Sequence, residues 1–381
     1  MRSPVKSTTV AVPSVLVLLA LASCRSDGAS AAASPASSGS AARPPLPVVS
    51  NADALIEKGE THFAHLWRLT KGVDNAAEGY WSFDGRAITM QATPNGAQCD
   101  RIYALGVGGN DARLISNEHG VTTCSYFLPD GKSILYASTH AWAMDCPPKP
   151  DMSKGYVWPV HPEYDIYVHD LATGKERALT TTYGYDAEAT ISPLGDRMVF
   201  TSTRSGDLEL WTSDLDGNHL QQVTNAPGYD GGAFFSHDGK WLVFRATAFT
   251  PGKEQEEIAQ YRGLLSNWLV KPTKMEIMLV RPDGSERKQV THLGRANFAP
   301  FFFPDDRRIV FASNHHDSSR EGRKFDLFAC DLDGKDLERL TTYDGFDAFP
   351  MFSPDGKWFV FASNRGGATP EETNLYVAEW R

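Results

Sequence analysis

One turn signature recurs six times along this chain, and no other feature limits its fold as strongly. It reads Ser82-Phe83-Asp84-Gly85, Leu128-Pro129-Asp130-Gly131, Ser192-Pro193-Leu194-Gly195, Ser236-His237-Asp238-Gly239, Phe303-Pro304-Asp305-Asp306 and Ser353-Pro354-Asp355-Gly356. Successive copies stand 46, 64, 44, 67 and 50 residues apart, against roughly 40–45 residues for a propeller blade, so two repeats carry insertions. Each signature is a tight turn between β-rich apolar runs, which is how a hairpin is written. An alternating strand follows it at 88–91, 134–137, 198–201, 242–245, 309–312 and 359–362. A third strand sets a polar residue ahead of an apolar pair, as in Asp165-Ile166-Tyr167, Glu209-Leu210-Trp211, Glu276-Ile277-Met278, Asp326-Leu327-Phe328 and Asn374-Leu375-Tyr376. The fourth ends in an aliphatic residue and a hydroxyl: Ile115-Ser116, Leu179-Thr180, Val223-Thr224, Val290-Thr291 and Leu340-Thr341. Four strands in each of six repeats predict an all-β, six-bladed β-propeller of four-stranded blades.

The missing sixth hydroxyl pair lies at the other end of the repeats, in Leu66-Trp67-Arg68-Leu69-Thr70. An N-terminal strand that completes the last blade beside residues 374–380 closes the ring and leaves no open sheet edge at the join.

Ahead of the repeats, Arg2 and Lys6 precede an apolar run from Val10 to Leu21 and then Leu21-Ala22-Ser23-Cys24. That order reads as a lipoprotein signal peptide over residues 1–23, with a lipid expected on the Cys24 thiol. Residues 24–50 are dominated by Ser, Ala and Pro, a composition that cannot bury enough apolar surface to order itself, so they read as a flexible tether. Residues 51–381 then hold the propeller. Net charge is −10, and removing residues 1–23 takes away two cations and no acid. An acidic body does not track phosphate backbones, which disfavours nucleic acid as a partner. Cys99, Cys124 and Cys146 fall in neighbouring repeats of an exported chain, where one bridge among them is expected and its pairing stays open.

The repeat resembles that of the TolB-like propellers. The marks are Phe352-Ser353-Pro354-Asp355-Gly356-Lys357, Phe361-Ala362-Ser363-Asn364-Arg365, Asp331-Leu332-Asp333-Gly334 and Arg339-Leu340-Thr341. The chain is also similar to bacterial propeller lipoproteins built from this repeat without the α/β domain that TolB carries ahead of its own. The resemblance implies an envelope protein on the periplasmic or cell-surface side, with a membrane contact through lipid alone.

In a propeller the loops entering the innermost strands share a face with the loops joining second and third strands, and together they form the usual binding face. Six residues before each turn stand Ala76, Thr122, Asp186, Asp230, Asn297 and Asp347; four before stand Glu78, Cys124, Glu188, Gly232, Ala299 and Phe349. After the second strands come His140, Arg204, Asn314, His315, Asn364 and Arg365, with Arg245 slightly earlier. The expected channel mouth is therefore Glu78, His140, Asp186, Glu188, Arg204, Asp230, Arg245, Asn297, Asn314, His315, Asp347, Asn364 and Arg365. Such a rim suits a polar ligand or a peptide terminus, and its carboxylate and amide oxygens also suit Ca²⁺. The same residue types bond their own backbone in turns without any ligand. Asp165, Glu209, Glu276 and Asp326 recur in nearly every blade and read as cement outside the site.

The two insertions do not repeat. Residues 140–161 are rich in Pro and aromatics, including Trp142, Tyr156 and Trp158. Residues 249–274 place Ile258, Tyr261, Leu264, Leu265 and Trp268 at helical spacing on the loop face. No nucleophile elbow, paired zinc histidines or phosphate loop is present. The leading expectation is a scaffold that binds an envelope protein, peptide or glycan. The alternative is a lyase-type carbohydrate-active enzyme with its site in the central channel, using His140 or His315 as base and Arg204, Arg245 or Arg365 against a uronate. Similar lyases have seven blades, which counts against direct transfer.

Overall fold

The computed structural model describes residues 50–107, 112–152, 155–319 and 322–381. The signal segment, Cys24 and the tether up to residue 49 lie outside the described residues.

Six antiparallel sheets follow the repeats in order, from Val73–Trp81 opening blade 1 to Asn374–Trp380 in blade 6. Each turn signature closes its hairpin with a backbone bond across five residues, from Ser82 N to Ala87 O through Ser353 N to Trp358 O, at 2.8–2.9 Å. The fourth turn position needs positive φ, which glycine adopts freely; in blade 5 Asp306 takes it at φ 57°, as short polar residues tolerate.

The hydroxyl at the end of each fourth strand has one repeated use. It accepts the amide of the third strand: Ile102 N to Ser116, Ile166 N to Thr180, Leu210 N to Thr224, Ile277 N to Thr291, Leu327 N to Thr341 and Leu375 N to Thr70, all within 2.8–3.0 Å. The last of these joins opposite ends of the described chain. Phe63–Arg68 pairs antiparallel with Asn374–Trp380, setting Leu66 against Ala378 and Arg68 against Tyr376, so the ring is closed by a strand from before blade 1. Ser50–Asn51 adds a short fifth strand outside it, which the periodicity did not announce.

Apolar side chains alternate inward between neighbouring sheets. Trp81, Tyr136, Phe200, Phe244, Phe311 and Phe361 are almost wholly buried in the resulting core. Cys99 is bonded to Cys146, tying blade 1 to the first insertion, while Cys124 and Cys330 are free and buried.

Candidate functional site

Much of the expected rim is engaged within the blades. Asp186 accepts Arg204 at 2.9 Å, Asp230 accepts Arg287, and Asp347 accepts Arg365 at 2.8 Å. Asn297 donates to Glu276 and Gly294 O, and accepts the Ser313 hydroxyl. The residues after the second strands repeat a second job. Thr139, Thr203, Thr247, Asn314 and Asn364 accept the amides of Val121, Tyr185, Tyr229, Ala296 and Phe346.

The next residue folds back onto a serine. His140 meets Ser138 and His315 meets Ser313 at 2.9 Å, while Arg204 and Arg365 donate Nε to Ser202 and Ser363. Each also lies against a ring of its own blade: Tyr167, Phe328, Trp211 and Phe361 respectively. Burial lowers the pKa of both imidazoles, with Arg339 adding to the effect at His315. Arg365 further donates to Glu60, a partner that no repeat signal marks because it lies before blade 1.

The positions four before the turns behave differently. In every blade the innermost strand slips register there, and the bulged residue has positive φ: Glu78 53°, Cys124 51°, Glu188 58°, Gly232 60°, Ala299 49° and Phe349 56°. A side chain held at positive φ costs about 1–2 kcal/mol, and the bulge re-aims it out of the normal alternation. Two residues on, Tyr80 of blade 1 meets Phe234 of blade 4 at 5.4 Å, and Phe234 meets Phe301 at 5.3 Å. Contact between opposite blades places these rings on the axis, where they fill the turn side of the channel.

Next to that plug is a polar chamber. Glu188 accepts the guanidinium of Arg245, the hydroxyls of Tyr229 at 2.7 Å and Thr201 at 2.6 Å, and the Gly232 amide at 3.0 Å. Burial alone raises the Glu188 pKa, but Arg245 and these hydroxyls outweigh it and hold the group below its ordinary value. Glu78 has no such donors. Burial, opposed by the Cys124 thiol and reinforced by the Glu188 charge, pushes its pKa up to about 7, and its Oε2 has no hydrogen-bond partner. The chamber therefore holds one carboxylate matched to a cation and one carboxyl that titrates near neutrality.

The two insertions meet over the mouth. Trp158–Pro159 pairs antiparallel with Leu269–Val270, joining blade 2's insertion to blade 4's. The Trp158 ring lies 5.5 Å from the Arg245 guanidinium and 6.2 Å from the Phe298 ring of blade 5, so it reaches across the channel. The helix Glu254–Leu265 buries Tyr261, whose hydroxyl donates to Asp207 at 2.5 Å. Trp142, Met144 and Tyr156 of the first insertion and the neighbouring Tyr183 are 53–62 % exposed. Tyr183 lies 6.2 Å from Trp142 and 5.9 Å from Trp268, centroid to centroid. Among the described residues no three His, Cys, Asp or Glu side chains gather as a metal site.

Residues 269–377 match the TolB beta propeller domain. The chain has the fold of a TolB-like propeller. It is 31 % identical over 141 residues to a TolB homolog of Chlorobium luteolum, covering 32 % of either chain. It is 25 % identical over 196 residues to an uncharacterized protein of Agrobacterium fabrum, covering 43 % of this chain and 63 % of that one. The TolB-like propeller thus spans less than two thirds of the length of these curated relatives. Among solved structures, one from Agrobacterium tumefaciens described as a TolB superposes with a TM-score of 0.53 at 18 % identity, covering 88 % of this chain and 98 % of that one. An oligogalacturonate lyase in complex with manganese gives 0.50 at 15 % identity, covering 89 % and 97 %. At these identities the likeness is one of fold.

Proposed function

We propose that this TolB-like propeller is a non-enzymatic docking module of the bacterial cell envelope, held at a membrane by lipid on Cys24, whose loop face receives a protein, peptide or glycan. The observation that carries this reading is the strap: two insertions paired across the mouth, with large apolar side chains of the first insertion and of Tyr183 left 53–62 % exposed. Aromatic and Met side chains of this kind are the usual anchors of interface cores.

The test is photo-crosslinking in cells from a reactive residue placed at Tyr183. A discrete adduct is expected there, weakened by Met144→Ala, and absent when the probe replaces Leu337 in a loop of the opposite face. Recovery of the uncrosslinked chain alone would sink the reading. Cys24→Ser should move the protein out of the membrane fraction; retention of the variant there overturns the anchor.

A second reading, the lyase, draws on the chamber, where a carboxyl titrating near neutrality stands beside an arginine. His140 and His315 lie against rings of their own, separate blades. Incubation with acidic glycans, watching for absorbance from new unsaturated ends, decides the matter. Silence across a broad panel retires the idea.

A further inference from the structure

The strap is fastened to one side of the ring and reaches over the other. Val160 and Val270 of the strap, with Tyr261 of the helix, are buried against Ala137 and Tyr164 of blade 2, Tyr185, Ala187 and Leu208 of blade 3 and Tyr229 at the entry to blade 4. Among the described residues, none from blades 1, 5 or 6 belongs to that cluster. Backbone bonds hold the same end, from Val160 N to Trp268 O at 2.9 Å and from Gly184 N to Pro162 O at 2.8 Å.

Toward blade 5 the reach ends in one side chain. The Trp158 indole stands edge-on to Phe298 at 6.2 Å, with 84° between the ring planes. Its backbone is held, because it pairs with Val270 and because the residue before a proline, here Pro159, is kept extended. The indole itself is less constrained. It is partly exposed, and its Nε1 donates to the exposed Tyr156 hydroxyl at 3.0 Å, a bond that water can replace. Beneath it Arg245 lies between two rings, 5.5 Å from Trp158 and 4.6 Å from Tyr229, and donates to Glu188 and to the Tyr229 hydroxyl. With the indole turned away, Arg245 would keep Glu188 and Tyr229.

The turn side of the chamber is built differently. Tyr80, Tyr126, Phe234 and Phe301, from blades 1, 2, 4 and 5, pack ring to ring at 5.3–6.3 Å, and all four are buried. Moving any of them disturbs rings that hold one another. Moving Trp158 gives up its edge contact with Phe298, its place over Arg245 and its bond to Tyr156.

We propose that the Trp158 side chain is a gate: turning about its own side-chain bonds while the strap stays in place, it opens the chamber to solutes from the loop face on the side of blade 5. Rotations of partly exposed side chains are fast, so this opening does not require the strap to unfold. The proposal does not depend on the docking reading, since it concerns what passes beneath the strap and not what rests on it.

Two free cysteines make the gate measurable. Cys124, at the bulge of blade 2, lies beside Glu78 in the chamber and is 9 % exposed, whereas Cys330 in the third strand of blade 5 is 0 % exposed. Burial raises the pKa of both thiols, so each is compared with itself across conditions and variants. Alkylation of the whole folded chain by iodoacetamide, without reductant so that Cys99 stays bonded to Cys146, is followed at both thiols by peptide mass spectrometry. In the wild type the Cys124 rate should stay constant over low urea concentrations, because turning one ring exposes almost no new surface. The Cys330 rate should climb with urea, as reaction through global unfolding does. Trp158→Ala should speed Cys124 about tenfold and leave Cys330 unchanged. Trp158→Phe, which keeps a ring facing Phe298, should stay within about threefold of the wild type. A wild-type Cys124 rate that rises with urea in step with Cys330, or one that Trp158→Ala leaves unchanged, overturns the gate. The wild-type urea series stands whether or not the alanine variant folds.

Discussion

Two places in the molecule hold the same charges, two carboxylates and one arginine, and use them in opposite ways. At the seam Arg365 stands between Glu60 and Asp347 at 2.8 Å from each, and all three side chains are fully buried. In the chamber Arg245 meets Glu188, while Glu78 has the Cys124 thiol beside it in place of a guanidinium and a pKa pushed up to about 7. The difference is one of backbone. Asp347 opens one strand of a hairpin and Arg365 lies just past the end of the other, and the N-terminal segment brings Glu60 to them. Glu78 is fixed by its left-handed bulge, where it meets a thiol instead of a guanidinium. Equal inventories of charge therefore give cement in one place and a titratable group in the other, and geometry alone decides which.

The largest test of that contrast is Arg365→Ala. It leaves two acids buried without a cation and frees the closing strand, so urea unfolding should show a loss of roughly 3–5 kcal/mol. A loss under about 1 kcal/mol would mean that the seam is held by strand pairing alone. Arg245→Leu should cost less, about 2–3 kcal/mol, because Glu188 keeps the Thr201, Tyr229 and Gly232 donors.

Glu78→Gln sharpens the comparison through pH. The folded-state pKa of Glu78 lies above its ordinary value of 4.5, so the stability this group contributes is complete below that value and is lost as pH rises through about 7. The variant should match the wild type in acid and exceed it by about 3 kcal/mol in alkaline solution. A difference that stays flat from pH ~5 to ~8 breaks the distinction between chamber and seam. The smallest effect belongs to Tyr183→Ala, whose ring is largely exposed. Its thermal unfolding should stay within about 0.5 kcal/mol of wild type, which separates a docking role from a folding one.

Repetition explains what could be read in the residues and what could not. The turns, the second and third strands and the hydroxyl pairs recur because each blade solves the same problem, so the number of sheets and the strand exchange at the join were legible. The same logic counted Asn314, Asn364, His140 and Arg204 as rim residues, and in the structure they make bonds to amides and serines that recur in several blades. Recurrence marks structure; departure from it marks candidates. The Glu78 carboxyl at a bulge and the two insertions are departures. The pairing of Trp158–Pro159 with Leu269–Val270 had no signal, since two residues from segments a hundred positions apart carry no periodicity.

The order of residues by itself determined six sheets, their hairpins and the strand that joins first to last, because local turn chemistry and alternation act within a few residues of each other. Only the folded ring decided which acids meet a cation, which carboxyl stays protonated near neutrality and which side chain reaches across the mouth. Those outcomes depend on distances between blades, and such distances exist only once the circle is closed.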